Sequence, residues 1–443
     1  MKDGDNFGAI RLLAAIVVVF GHSFPLSGAP SVLLLGNAVQ SLAVKVFFVL
    51  SGYLIAQSWV GDPNPARYLA KRCLRIFPAL ICVVCLSALI LGPAVTLLPI
   101  SAYLRAPELS FYFRNMFLYP VYSLPGVFGR NIYPDAVNGS LWSLPVEFSM
   151  YLALPILACR PGGAAFRLGL AAALIGAFSL YELRGAGSLL DARQVVFGTD
   201  LRSALDVAPY FCAGACLYGL RGWIRPNLQM AMLLGAGALL APPVAFYPEL
   251  ALYVALPYAV IAFALARPAR FSYVERFGDL SYGTYLFGFP VQQWVIATFG
   301  TAHHPIRTFA LALPPTLLLA FSSWHLIERR MMALKPRRRS ATATPAPESY
   351  KFFASFLQKQ KFLPYLDALQ SAPAGDGVVD HQYHDGADDG DEQAVEIEPG
   401  DRNRAERVEN LPAHQRADNA EHDVEQRPLA AIVNDMAGNI ARN

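Results

Sequence analysis

The chain of 443 residues is 54% hydrophobic and only 16% charged, whereas a soluble globular domain is about a quarter charged. With a mean hydropathy of +0.35, it is excluded as an ordinary soluble domain and reads as an all-α protein that crosses a membrane many times. The net charge of +3 conceals two unlike parts, because 19 acidic and nine basic residues follow residue 340 and the rest is basic.

Ten apolar runs, near 8–27, 42–60, 76–98, 141–159, 166–182, 204–220, 229–246, 249–267, 280–300 and 306–328, each approach the ~20 residues a bilayer requires. The first contains RLLAAIVVVFGH, with Arg11 and His22 at its ends. Eleven helical residues turn through about 1100°, so the two side chains share a face about 16 Å apart along the axis. The small residues SGA at 27–29 resemble a signal-peptide cleavage site. Arg11 and His22 inside the apolar run favour a retained span. The second run carries Ser51 and Lys45, and the third is entered through KRCLRIFP, where Arg72 and Arg75 stand three apart on one face.

The connection 99–140 is dense in aromatic residues, among them Tyr103, Phe111, Tyr122, Phe128 and Tyr133. Two readings stay open for it: a surface suited to sugar rings, or an interfacial belt folded back onto the bundle. The fourth run follows as NGSLWSLPVEFSMYLALP, with Asn138, Trp142 and Glu147. Six cysteines, at 73, 82, 85, 159, 212 and 216, lie in or beside the runs without a histidine or carboxylate cluster. They read as small apolar packing residues, and no metal is expected. No internal repeat is evident.

Counting Lys and Arg in the connections places eighteen on one side of the membrane and six or seven on the other. The positive-inside rule then puts both termini in the cytoplasm, for a multi-pass protein of the inner (cytoplasmic) membrane. Three regions are expected: a membrane domain at 5–335, a linker at 336–370 with the pattern of a short amphipathic helix, and a disordered acidic tail at 371–443.

Ionisable residues at membrane depth mark functional sites by default. His22 is the one histidine of eight well inside a run, and helical rise puts it about 21 Å up a ~30 Å core. Arg11, Arg72 and Arg75 share the inner mouth, where three guanidinium forks suit phosphate; the bland alternative is ordinary positive-inside charge. Glu147 falls at about the depth of His22 by the same rise. It either orients the imidazole as a general base or pairs with Lys45. One reaction fits this layout. A phosphate-rich acyl carrier such as acyl-CoA docks on the arginines, and its thioester arm reaches toward His22, which deprotonates an acceptor hydroxyl from outside. Trp142 is a candidate for the acceptor entrance, with Asn138 and Ser51 as lesser candidates near the path. A transporter or flippase of a lipid-linked sugar would use the same polar path without consuming acyl-CoA. A membrane partner organised through its acidic tail is a third class.

The order of these motifs resembles acyltransferase family 3, the polytopic membrane O-acyltransferases. Arg11 and His22 form the opening Arg-x10-His, followed by FFVLSGYLI (47–55), RCLRIFP (72–78), LPGVF (124–128), VNGSLWSLPVEFSMY (137–151), GDLSYGTYLFGFPVQQ (278–293) and HLIERR (325–330). The resemblance implies a ten-span bundle that takes acyl groups, often acetyl, from cytoplasmic acyl-CoA as a co-substrate, with no tightly bound cofactor. Acceptors would be hydroxyls of cell-surface or exported carbohydrate or glycolipid, sometimes small molecules, and no nucleic acid. It also implies that Arg11, His22, Arg72 and Arg75 are essential and that Glu147 is the matching acidic residue. Gly288 stands where many relatives carry a histidine, and Arg329-Arg330 where a proline often follows. The external hydrolase-like domain of some relatives is not in this chain.

Overall fold

The computed structural model describes residues 5–157, 164–183, 195–240, 247–267 and 271–336. The acidic tail, and all but the first residue of the expected linker, lie outside the described residues.

Each apolar run contains a helix. They are α1 (Phe7–Leu26), α2 (Val39–Gly61), α3 (Pro65–Leu86), α4 (Ser143–Leu157) and α5 (Ala164–Leu183). After these come α6 (Leu201–Gly219), α7 (Leu228–Leu240), α8 (Tyr247–Leu265), α9 (Ser281–Phe299) and α10 (Pro305–Ser323). Among the described residues, five are long and apolar enough to cross a membrane: α1, α2, α3 extended to Val95, α4 with the 3-10 turn before it, and α10 extended to Ala333. Ten helices thus stand where ten spans were expected, and five of them have spanning length and hydropathy. The polarity of α9 has a structural cause. Its residues Gly283–Gln293 are buried without a break, Gln292 and Gln293 completely, so this helix faces protein on all sides rather than lipid.

Local chemistry sets the helix starts. Asn64 caps α3 by accepting from the Arg67 N–H at 2.9 Å, with Pro65 in the first turn. Asp200 caps α6 through the Ser203 N–H at 3.2 Å. Between α2 and α3, hydrogen bonds from Arg67 and Lys71 hold the Asp62 carboxyl well below the usual carboxylate range. Those two cations are thus tied to the loop. The tightest crossing is that of α2 on α6. A Cβ at Gly52 would lie 2.0 Å from the Phe211 carbonyl oxygen, and one at Gly214 would lie 2.1 Å from that of Val49. The glycine of FFVLSGYLI is there because two backbones touch.

The aromatic connection folds back onto the bundle. Tyr103 and Tyr112 are buried, and the Tyr103 hydroxyl donates to the Ala88 carbonyl at 2.6 Å, in the π turn Ser87–Leu91 that follows α3. Further along, Gln293 Nε2 donates to the carbonyls of Tyr133 (2.7 Å) and Ala136 (2.8 Å), stitching the connection to α9.

Candidate active site

Two cavities meet inside the bundle. The first, the arginine cavity, is lined by Arg11, Arg72, Arg75, Ser51, Glu147 and Tyr151, with Tyr282 and Tyr285 from α9. The second, the histidine cavity, is lined by His22, Gln40, Trp142, Asp200 and Asp206, with Tyr122, Tyr133, Tyr285 and Phe289. Val44 and Tyr285 line both.

In the arginine cavity the three guanidinium groups are not equivalent. Asp279, in the turn before α9, takes Arg11 at 2.5 Å and Arg75 at 2.8 Å on one carboxylate oxygen, while Ser281 Oγ donates to the other at 2.6 Å. Burial alone would raise the Asp279 carboxyl, but Arg11 and Arg75 outweigh it and hold it well below the usual range. The turn depends on Gly278 at φ +94°, where a Cβ would meet the Trp324 indole at 2.1 Å. Arg75 also reaches Glu328 at 3.4 Å; that carboxylate is held by Ser323 Oγ at 3.0 Å across a π turn, Trp324–Glu328, that interrupts the end of α10. Arg72 differs. Its one hydrogen bond among the described residues runs to Ser58 Oγ at 3.4 Å, and its Nε is buried without an acceptor. The rings of Tyr68 and Tyr151 lie 6.0 Å from it. Lys335 does not line the cavity but feels its charge: burial, then the fields of Arg72, Arg75 and Arg11, push its ammonium pKa down to about 8.

Glu147 belongs to this cavity. It accepts from Ser51 Oγ at 2.6 Å and from the Tyr151 hydroxyl at 2.5 Å. The structure does not bring it to His22, as the estimate of equal depth had suggested, nor to Lys45, which binds Asp206 at 2.9 Å and Asn37 at 2.6 Å. The cause is where the fourth run starts. Asn138, Ser140 and Leu141 are already buried, beneath the folded-back connection, so helical rise counted from the start of the run at 141 begins inside the bundle. Asn138 lines neither cavity; it donates to the Leu286 carbonyl at 2.9 Å and accepts from the Ser140 N–H at 3.2 Å. Its part is to pin the entrance of α4 to α9. Trp142 lines the histidine cavity, and Ser51 lines the arginine cavity.

His22 stands with its ring edge-on to Phe289, centroids 5.5 Å apart. Among the described residues it makes no hydrogen bond, so its nitrogens are left to the cavity. The α1 backbone around it is fixed by Gln292 of α9, which donates to the Val19 carbonyl at 2.7 Å and to Ser23 Oγ at 2.6 Å. An imidazole held this way, without an internal partner, can take a proton from a ligand hydroxyl. The arginine cavity can hold an anion.

Asp279, Glu328, Lys335 and Tyr285 escaped the sequence reading as site residues. The first two had a signal: each is a carboxylate beside an apolar run on the side that collects the arginines.

The sequence of the whole membrane part carries the same assignment. A family model described as an acyltransferase domain matches residues 5–325. An O-acetyl transferase of Shigella phage Sf6 is 29% identical, over 75% of this chain and 97% of its own length. Nodulation protein 10 of Rhizobium leguminosarum bv. viciae is 28% identical, over 75% of this chain and 94% of its own length. No solved structure matches. A helical membrane bundle with an imidazole lining one cavity and arginines in the next, matched over 5–325, thus belongs to the acyltransferase 3 family and is an O-acyltransferase.

Proposed function

We propose that the protein transfers an acyl group, acetyl in the simplest case, from cytoplasmic acyl-CoA to a hydroxyl of a cell-surface or exported carbohydrate. The observation that carries this is the meeting of the two cavities along Val44 and Tyr285. One side offers cations to a phosphate-rich donor. The other offers a base among aromatic rings, which suit the apolar faces of a sugar. The donor's pyrophosphate and 3′-phosphate would sit against Arg72 and Lys335 with Arg11 and Arg75 behind them, its thioester reaching the seam. His22 then takes the acceptor proton, and Glu147, bound by Ser51 and Tyr151, shapes the donor side. The name of the phage relative supports acetyl. In this reading all ten helices cross the inner membrane, the basic connections face the cytoplasm, and residues 5–335 form the catalytic domain.

The test is thioester consumption by the protein purified in nanodiscs, with acetyl-CoA and succinyl-CoA as donors and a surface-glycan extract of the producing cell as acceptor. CoA release by wild type and not by His22→Ala supports the reading and names the donor. A folded wild type that releases none with either donor turns it toward transport of a lipid-linked sugar.

A further inference from the structure

Tyr285 carries the one polar side chain common to both cavities, Val44 being the other shared residue. Its hydroxyl lies 2.6 Å from Ser143 Oγ and donates to the Ser140 carbonyl at 2.8 Å. Either hydroxyl can donate in the 2.6 Å contact, and Ser143 Oγ also reaches the Ser140 carbonyl at 3.5 Å; the shorter phenol bond to that carbonyl favours the arrangement in which Ser143 donates to the phenol oxygen. The ring is fixed from the other side by Phe47, edge-on with centroids 5.8 Å apart. Ser143 is 5% exposed and lines the arginine cavity. The Ser140 hydroxyl is buried without a partner. A chain of two donors therefore runs Ser143 to Tyr285 and ends on the wall between the cavities, on a group free to turn.

The geometry points to Tyr285, supported by Ser143, as the hydrogen-bond donor to the thioester carbonyl oxygen during acyl transfer. This rests on the acyl-CoA reading above. A donor entering from the arginines and an acceptor entering beside His22 come together only at the seam, so the carbonyl carbon must be there when it reacts. As the acceptor oxygen bonds to that carbon, the acceptor proton passes to His22 and the carbonyl electron pair moves onto oxygen. The phenol O–H swings from the Ser140 carbonyl onto this oxyanion while Ser143 continues to donate to the phenol oxygen, which strengthens it as a donor. Collapse restores the C=O bond and breaks the C–S bond. The thiolate takes the proton from His22, leaving ester and CoA. Ser143 touches no reacting atom and is a positioning residue. A plain cross-brace between α4 and α9 is the competing account of the same contacts.

Tyr285→Phe keeps the ring and removes only the hydroxyl. With acetyl-CoA and the glycan extract, its single-turnover rate of CoA release is expected to fall about 10²- to 10³-fold, with the half-saturating acetyl-CoA concentration unchanged. Ser143→Ala should lose about tenfold, and Ser143→Thr should recover it. Fluorotyrosines at 285 vary phenol acidity at nearly constant size, and the rate should track that acidity. A brace would instead lower the melting temperature and shift donor affinity, leaving the fluorotyrosine series flat. A Tyr285→Phe rate within threefold of wild type, or a flat series, overturns this assignment and leaves the acyl-CoA reading standing. A wild type that releases no CoA overturns both.

Discussion

The arginine cavity and the histidine cavity lie against each other and are built on opposite principles. In the first, charges are fixed by other charges: Asp279 joins Arg11 to Arg75, and Glu328 holds Arg75 from behind. Such a cluster is costly to assemble in a low-dielectric interior, but once paired it keeps its geometry without a ligand. In the second, rings form the walls, the Lys45–Asp206 pair neutralises itself, and His22 and Gln40 Oε1 have no hydrogen-bond partner among the described residues. One cavity is rigid and cationic, suited to one ligand of fixed charge. The other is walled by aromatic rings with few charges, suited to a ligand recognised by shape and hydroxyls. In the proposed reading, that asymmetry separates a charged donor from a glycan acceptor.

The sharpest break between the cavities should come from His22→Ala. Removing a general base costs about 10²- to 10⁴-fold in rate. Calorimetry should show acetyl-CoA binding unchanged, and a lost affinity would mean that the cavities are not separable. Asp279→Asn comes next. It leaves Arg11 and Arg75 facing each other with half their compensation, and breaking a buried pair costs about 3 kcal/mol, to be read as a lower thermal midpoint in detergent. Arg72 sharpens the contrast within one cavity. Since no carboxylate holds it, Arg72→Gln should leave the thermal midpoint in place and raise the KM for acyl-CoA about 10- to 100-fold, as for a charge-assisted hydrogen bond. If Arg72→Gln destabilises the protein as much as Asp279→Asn, the distinction fails. On the other side, Trp142→Ala should raise the acceptor KM about tenfold, roughly one large apolar contact, with the donor KM unmoved.

How much of this was legible in the sequence divides along the same line. The positions of the ten long helices were, because apolar runs are local; the short helices Ile100–Arg105, Pro107–Tyr112 and Arg329–Ala333 were not. Arg11, Arg72 and Arg75 were placed in one cavity by helical spacing and positive-inside charge alone, and all three line it. Glu147 was misplaced relative to His22 because depth was counted from a boundary that the folded-back connection buries. That burial rests on long-range contacts, Gln293 with Tyr133 and Asn138 with Leu286, which no periodicity announces. Asn138 looked like a polar group on a path and is instead a tie between two helices. Tyr285 stood inside the motif GDLSYGTYLFGFPVQQ, but its role was unreadable for a different reason. A tyrosine in an apolar run is ordinary, and its place on the wall between two cavities exists only once α9 is enclosed by the bundle. Gly288 illustrates the same limit. Its departure from the family pattern is readable, but only the structure shows Val19 occupying the space, 2.6 Å from where its Cβ would be.

The smallest expected effect is also the one whose sign is least intuitive. Lys335 follows the short helix Arg329–Ala333, and its ammonium is pushed down to about 8 from the ordinary 10.5, by burial and by the neighbouring arginines. The unfolded chain therefore holds the Lys335 proton more tightly than the folded one, so between about pH 8 and pH 10.5 this residue makes stability rise with pH. Donor binding should run the other way. A polyphosphate placed among Arg11, Arg72 and Arg75 cancels the repulsion that lowers Lys335 and restores its charge, so binding takes up a proton above pH 8. Acetyl-CoA affinity should then fall severalfold from pH 7.5 to 9, measured by calorimetry in buffers of different ionisation enthalpy, which count the protons directly. Lys335→Gln should flatten both curves, and Lys335→Arg should keep the pH 7.5 affinity across the range. A wild-type affinity that does not change with pH would remove Lys335 from the donor site and leave the three arginines as its whole charge.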